Sequence, residues 1–233
     1  MANEPKTTKR ERQRQRSEQR RLAEQRARQR RTLGFTIGAI AIIAVVVVAV
    51  VALQDDGPAS AEPIRPSASA DITVDGPPRD APLAVGEPVP SFSAPGFRMI
   101  RSGTGFEVQR EQVDWASFAG GPTVISIWAE WCPHCQVELP VLQRVLRDYP
   151  DVELVTILSS IGQQPGPEPD EYLAENELTF PVAIDDADGT LGLAFGLEAF
   201  PTIYFVDEAG AVTYANTGEV PEEELRAELD RLS

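Results

Sequence analysis

WAEWCPHC, residues 128–135, holds both cysteines and the only histidine of this 233-residue chain. What Cys132 and Cys135 are for decides what the surrounding fold must be. A disulfide between them encloses two residues. Cross-link stabilisation grows with the length of chain enclosed, so such a staple adds little, and a purely structural role is disfavoured. Zinc takes four ligands in structural sites and usually three protein ligands in catalytic ones. Two sulfurs, with the imidazole caught inside the two-residue loop, do not build a closed tetrahedron. Two-coordinate copper(I) on the sulfurs stays open, because soft thiolates select it. Met99 is the only methionine besides the initiator.

Redox chemistry fits the placement of the pair. The run TVISIWA (123–129) reads as a buried strand. PHCQVELPVLQRVLRDY (133–149) reads as a helix, with Val137, Val141, Leu142, Val145, Leu146 and Tyr149 at helical spacing. Pro133 suits the first helical position, and Pro140 is expected to kink the helix. The Cys132 sulfur then lies where unpaired backbone N–H groups and the positive end of the helix dipole converge. Both favour a thiolate over a thiol. The expectation is a solvent-facing Cys132 that attacks, and a more buried, protonated Cys135 that resolves the mixed disulfide. His134 tunes the pair. As an imidazolium it attracts the thiolate, although a helix N-terminus disfavours a cation; as a neutral ring it still donates one N–H. Trp128 and Trp131 are expected to pack around the site and limit water, and Glu130 to be solvated.

Further strand-like runs are VELVTILS (152–159), FPVAID (180–185), TIYFVD (202–207) and AVTYA (211–215). Asp207-Glu208-Ala209-Gly210 reads as a hairpin turn between the last two. PEEELRAELDRL (221–232) reads as an amphipathic helix with Pro221 and three glutamates in its first turn. Strand, helix, strand and helix, then a hairpin and a last helix, is an α/β layout. No internal repeat interrupts it.

Ile127 to Cys135, with Pro140 five residues after the second cysteine, resembles the active-site strand and helix start of thioredoxin-fold proteins. Phe200-Pro201-Thr202 resembles the cis-proline loop of the same fold. VGEPVPSFSAPGF (85–97), the extra segment between Leu158 and Phe180, and the VDEAG hairpin are similar to the membrane-anchored TlpA/ResA-like thiol–disulfide oxidoreductases. The resemblance covers residues 85–233 and implies a central mixed sheet flanked by helices. It also implies that Phe200, Pro201 and Thr202 shape a groove where an extended client pairs like an added strand. Two positions depart from it. Ser126 stands where thioredoxins bury an aspartate, and Gln136 stands where a lysine often follows the second cysteine. Pro133-His134 between the cysteines resembles the CPHC motif of DsbA-type thiol oxidases. Whatever stabilises the thiolate stabilises the reduced form, which makes the disulfide a stronger oxidant.

The amino-terminal part differs in composition. Residues 1–31 carry twelve Lys/Arg against four Glu, whereas the remainder carries nine Arg against thirty-two acids. Between the two regions, LGFTIGAIAIIAVVVVAVVAL (33–53) has no charge and as a helix spans about 30 Å, one hydrocarbon core. Its basic flank orients residues 1–32 as a cytoplasmic tail and the rest outside. Ala59-Ser60-Ala61 offers the competing reading of a cleaved signal peptide. The apolar run is longer than a signal core, and the basic segment before it is long. No cysteine lies near the span to carry lipid, and Gly34 and Gly38 form a single weak GxxxG pairing signal. The arginines are interleaved with Glu and Gln and lack aromatic neighbours, so nucleic acid is not the expected partner. Residues 54–84, rich in Pro, Ala, Ser and Asp, read as an extended tether.

The combined expectation is a membrane-anchored, extracytoplasmic thiol–disulfide oxidoreductase needing no organic cofactor or metal. Oxidation or isomerisation of exported proteins is the expected direction. The alternative, implied by the TlpA/ResA resemblance, is reduction of disulfides such as those of apocytochrome c. Either direction needs a membrane redox partner, a quinone-linked oxidase or an electron-conducting transporter. A rival of another class is a copper(I)-delivery module on the same two thiolates.

Overall fold

A computed structural model describes residues 62–232. The basic tail, the apolar stretch 33–53 with its Gly34 and Gly38, and residues 54–61 lie outside the described residues. Among the described residues no helix is long and apolar enough to cross a membrane.

The strands are β1 (Thr73–Val74), β2 (Phe92–Ser102), β3 (Gly105–Asp114), β4 (Thr123–Trp128), β5 (Glu153–Leu158), β6 (Val182–Ile184), β7 (Thr202–Val206) and β8 (Val212–Thr217). They form one mixed sheet in the order β1-β2-β6-β5-β4-β7-β8, with β3 paired to β2. β4 is buried along its whole length, as an uncharged apolar run requires, and lies between parallel β5 and antiparallel β7. Successive side chains of a strand point to opposite faces. Val124 and Trp128 accordingly join one core, and Ile125 and Ile127 the other.

The first core is roofed by α1 (Pro133–Leu146), α2 (Pro169–Glu175) and α4 (Glu222–Leu232), through Leu139, Leu142, Tyr172, Leu225 and Leu229. The second is covered by α3 (Thr190–Ala194) and by residues 72–94. The five strands read from the sequence are all present, and the turn at Asp207–Gly210 joins β7 to β8, with Asp207 Oδ1 accepting the Ala209 and Ala211 amides. α1 runs on through Pro140. The β2–β3 hairpin was not legible, because Pro95 and Gly96 interrupt β2 and β3 is mostly polar.

The tether expected through residue 84 is corrected for residues 62–84, which pack on the domain. Ile64, Ile72 and Leu83 are buried. Ser67 bonds to Ile184 and Asp185 carbonyls, and the Leu83 amide donates to the Tyr204 hydroxyl. Gly196 marks how close the approach is: its φ is +68°, and a Cβ there would lie 1.8 Å from the Ala81 carbonyl oxygen. Average composition hid three well-spaced apolar anchors. Proline lowers the entropy an extended segment loses on docking.

Candidate active site

Strand β4 ends at Trp128, and four residues later Cys132 caps α1 in an extended conformation (φ −83°, ψ 111°), with Pro133 opening the helix. The Cys135 amide donates to Cys132 Sγ at 3.2 Å, one of the first-turn N–H groups that have no partner within the helix. The two cysteines are joined as a disulfide, Cα to Cα 5.3 Å. The dithiol thus stands at the strand-to-helix junction that the motif indicated. The expected solvent-facing Cys132 is corrected: it is 4% exposed and Cys135 is fully buried. Both sulfurs belong to an apolar cluster against which Trp131 and Phe200 pack. Their rings meet edge to face at 5.4 Å. Pro133 and His134 are the exposed residues of the motif.

The Phe200–Pro201 bond is cis. Pro201 and Thr202 are buried where β7 begins, and Thr202 Oγ1 donates to the Ala199 carbonyl. Three successive residues before α4 reach three parts of the site. The Gly218 amide donates to the Pro201 carbonyl at 2.7 Å. Glu219 Oε1 lies 2.5 Å from His134 Nδ1. The Val220 amide donates to Glu138 Oε2 at 3.2 Å.

Glu138 is a functional candidate that the sequence reading did not single out. It sits one turn after Cys135 and is 2% exposed, and its Oε1 has no hydrogen-bond partner among the described residues. Burial pushes its carboxyl from 4.5 up to about 7; the Val220 amide opposes this, and the Glu219 charge adds to it. Ser126, where thioredoxins carry their acid, is fully buried, and its Oγ has no partner among the described residues. By strand alternation it shares the α1-facing side with Val124 and Trp128, and Glu138 is a buried acid carried by α1 itself. A signal existed: an acid between Cys135, Leu139 and Leu142 on the apolar stripe of α1. Glu219 had none, being 85 residues from His134.

Glu130, expected to be solvated, is instead 4% exposed. Its Oε1 accepts the Gly162 amide at 2.6 Å while Oε2 has no partner among the described residues, and burial raises its pKa. The reason is the segment after β5, which closes over Trp131. The Trp131 Nε1–H donates to the Ser160 carbonyl at 2.9 Å, and a Cβ on Gly166 would lie 2.7 Å from Trp131 Cα. Trp128 is fully buried, its Nε1–H bonded to Thr156. Gln136, in the place of the family's lysine, bonds the Glu130 carbonyl.

A cysteine pair with this spacing, capping a helix beside a cis-proline loop on a mixed sheet, defines a thioredoxin-fold thiol–disulfide oxidoreductase. The Redoxin family matches residues 84–231, more than half of the chain, and the chain belongs to that family. It is 28% identical over 153 residues to the thiol:disulfide interchange protein DsbE of Pseudomonas aeruginosa, covering 65% of this chain and 77% of that one. It is 29% identical over 109 residues to the sporulation thiol-disulfide oxidoreductase A of Bacillus subtilis, covering 46% and 66%. The thioredoxin domain of a thiol-disulfide oxidoreductase from Bacteroides vulgatus superposes with a TM-score of 0.50 at 15% identity, over 65% of this chain and 99% of that one. That likeness shows the fold. The TlpA/ResA-like character read from the motifs holds.

Proposed function

We propose that the protein is anchored by residues 33–53 in the plasma membrane and exchanges disulfides with exported proteins on the outer side, as their reductant. The observation that carries the exchange chemistry is the Cys132 sulfur at the α1 N-cap, receiving the Cys135 amide. In the reduced protein this amide and the helix dipole stabilise a Cys132 thiolate. The thiolate attacks one sulfur of a client disulfide, forming a Cys132–client bond and expelling the other client sulfur as a thiolate. The Cys135 thiol then loses its proton, for which the Glu138 carboxyl, one turn along the helix and partly ionised near neutral pH, is the buried acceptor, and the Cys135 sulfur attacks Cys132 Sγ. The second client thiolate leaves, and the disulfide seen here forms. Two electrons have moved to the client. A membrane redox partner returns them.

Reduction, rather than the oxidation suggested by the Pro133-His134 pair, is supported by the way His134 is held. Positive charge presented by the histidine to the sulfur would stabilise the thiolate and strengthen the oxidant. Here the ring is engaged by Glu219 instead. Clients such as apocytochrome c suit this direction. Phe200, Pro201 and Thr202 are the groove residues in this reading, and Trp131 shields the sulfurs.

The test uses the full chain. Cys135→Ser should accumulate mixed disulfides with exported proteins on non-reducing gels, and Cys132→Ser should not. A membrane-impermeant thiol reagent should label the reduced protein in intact cells. An equilibrium with glutathione placing the potential below about −200 mV supports reduction, whereas a value near the roughly −120 mV of DsbA would restore the oxidase reading. Stoichiometric copper(I) binding without any disulfide exchange would turn the assignment to metal delivery.

A further inference from the structure

We infer that Glu219 is a positioning residue that holds His134 and lowers the oxidising power of the Cys132–Cys135 disulfide; the inference rests on the exchange function proposed above. The carboxylate is presented by a segment fixed on both sides, by Gly218 to the Pro201 carbonyl and by Val220 to Glu138. A carboxylate only accepts hydrogen bonds, so the histidine Nδ1, 2.5 Å from it, must carry the hydrogen. Two protonation states of the ring remain, and the sign is the same in both. If the ring is an imidazolium, its charge lies against an opposite charge. If it is neutral, the pair as a whole is anionic. For a given state of the ring, the Glu219 carboxylate adds one negative charge beside it, so the pair presents less positive charge to the neighbouring sulfur than the same ring without it.

Nothing nearby in sequence offsets this. No Lys or Arg occurs between Arg110 and Arg144 or between Arg147 and Arg226, the stretches that contain residues 129–138, 196–202 and 216–221 around the site. Arg144 is itself paired with Glu222 at 2.9 Å. Less positive charge beside Cys132 means a less stable thiolate, a less stable dithiol and a weaker oxidant.

The experiment measures the equilibrium of the full chain with glutathione at neutral pH. Two glutathione thiols supply two electrons and two hydrogens to the Cys132–Cys135 disulfide and leave as one glutathione disulfide. Glu219→Gln keeps the shape and removes the charge, and it should shift this equilibrium toward the dithiol by about 1.5- to fivefold, the range for one exposed charge. The shift should shrink in about 1 M salt, where such charges are screened. His134→Ala, which leaves the carboxylate, should shift the equilibrium the other way or leave it in place. A salt-insensitive shift, no shift, or the same direction in both variants would overturn the inference, because loosening of the loop predicts those results. A protein that equilibrates with glutathione but does not exchange with protein disulfides defeats the client function, while the comparison of variants still decides the role of Glu219.

Discussion

Replacing Glu138 with glutamine should change the stability of the oxidised protein in a pH-dependent way whose sign follows from burial. The wild-type carboxyl keeps its proton up to about pH 7 in the folded protein, against 4.5 in the unfolded chain. Between those values the folded state binds more protons than the unfolded state, so stability falls as pH rises. The neutral acid's contribution is fully present below 4.5 and is lost by about 7. At roughly 1.4 kcal/mol for each tenfold step, the window corresponds to at most about 3.5 kcal/mol. Glutamine does not titrate and can still accept the Val220 amide. Its extra N–H pair adds an offset that is the same at every pH.

The stability of Glu138→Gln relative to wild type should therefore rise by about 2–3 kcal/mol from pH 4.5 to pH 8. That is a relative gain of roughly 5–10 °C in melting temperature for a folded unit of this size. All three tryptophans, Trp115, Trp128 and Trp131, belong to this unit, so fluorescence-detected urea or thermal unfolding of the full chain reports it. Titration of every other carboxyl cancels in the comparison. Parallel pH profiles for the two proteins would refute the raised Glu138 carboxyl and, with it, a buried group poised near neutral pH to take the Cys135 proton.

Ile64→Ala should cost about 2 kcal/mol or more in urea unfolding, the low end for a buried isoleucine. A free tether would make the change neutral, and a neutral result would return residues 62–84 to that status. Gly166→Ala forces a methyl group against the Trp131 backbone; it should destabilise by about 1–3 kcal/mol and alter the tryptophan emission. Unchanged melting and emission would show that the segment after β5 does not close on Trp131.

Cys132–Cys135, Pro133 and the strand before them could be read from the chain because each obeys a local rule. Apolar continuity marks a buried strand, a proline opens a helix, and the two-residue spacing brings both sulfurs to one turn. Phe200-Pro201-Thr202 was legible for a different reason, namely a resemblance covering nearly the whole domain. Short apolar runs likewise gave β4 to β8, whereas β2 and β3 hide their pairing behind Pro95, Gly96 and a polar edge. Residues 62–84 were misread because composition averages over a segment, while docking depends on a few side chains such as Ile64 and Leu83.

The sequence by itself determined the dithiol, its place at the mouth of a helix and the α/β order of the elements, since these depend on neighbours a few residues apart. Only the tertiary structure decided the charge environment of that dithiol. Burial made Glu138 hold its proton and took Glu130 out of water, and the loop before α4 brought Glu219 across 85 residues to His134. Electrostatics depends on distance and solvent access in space. Neither can be read from positions along a chain.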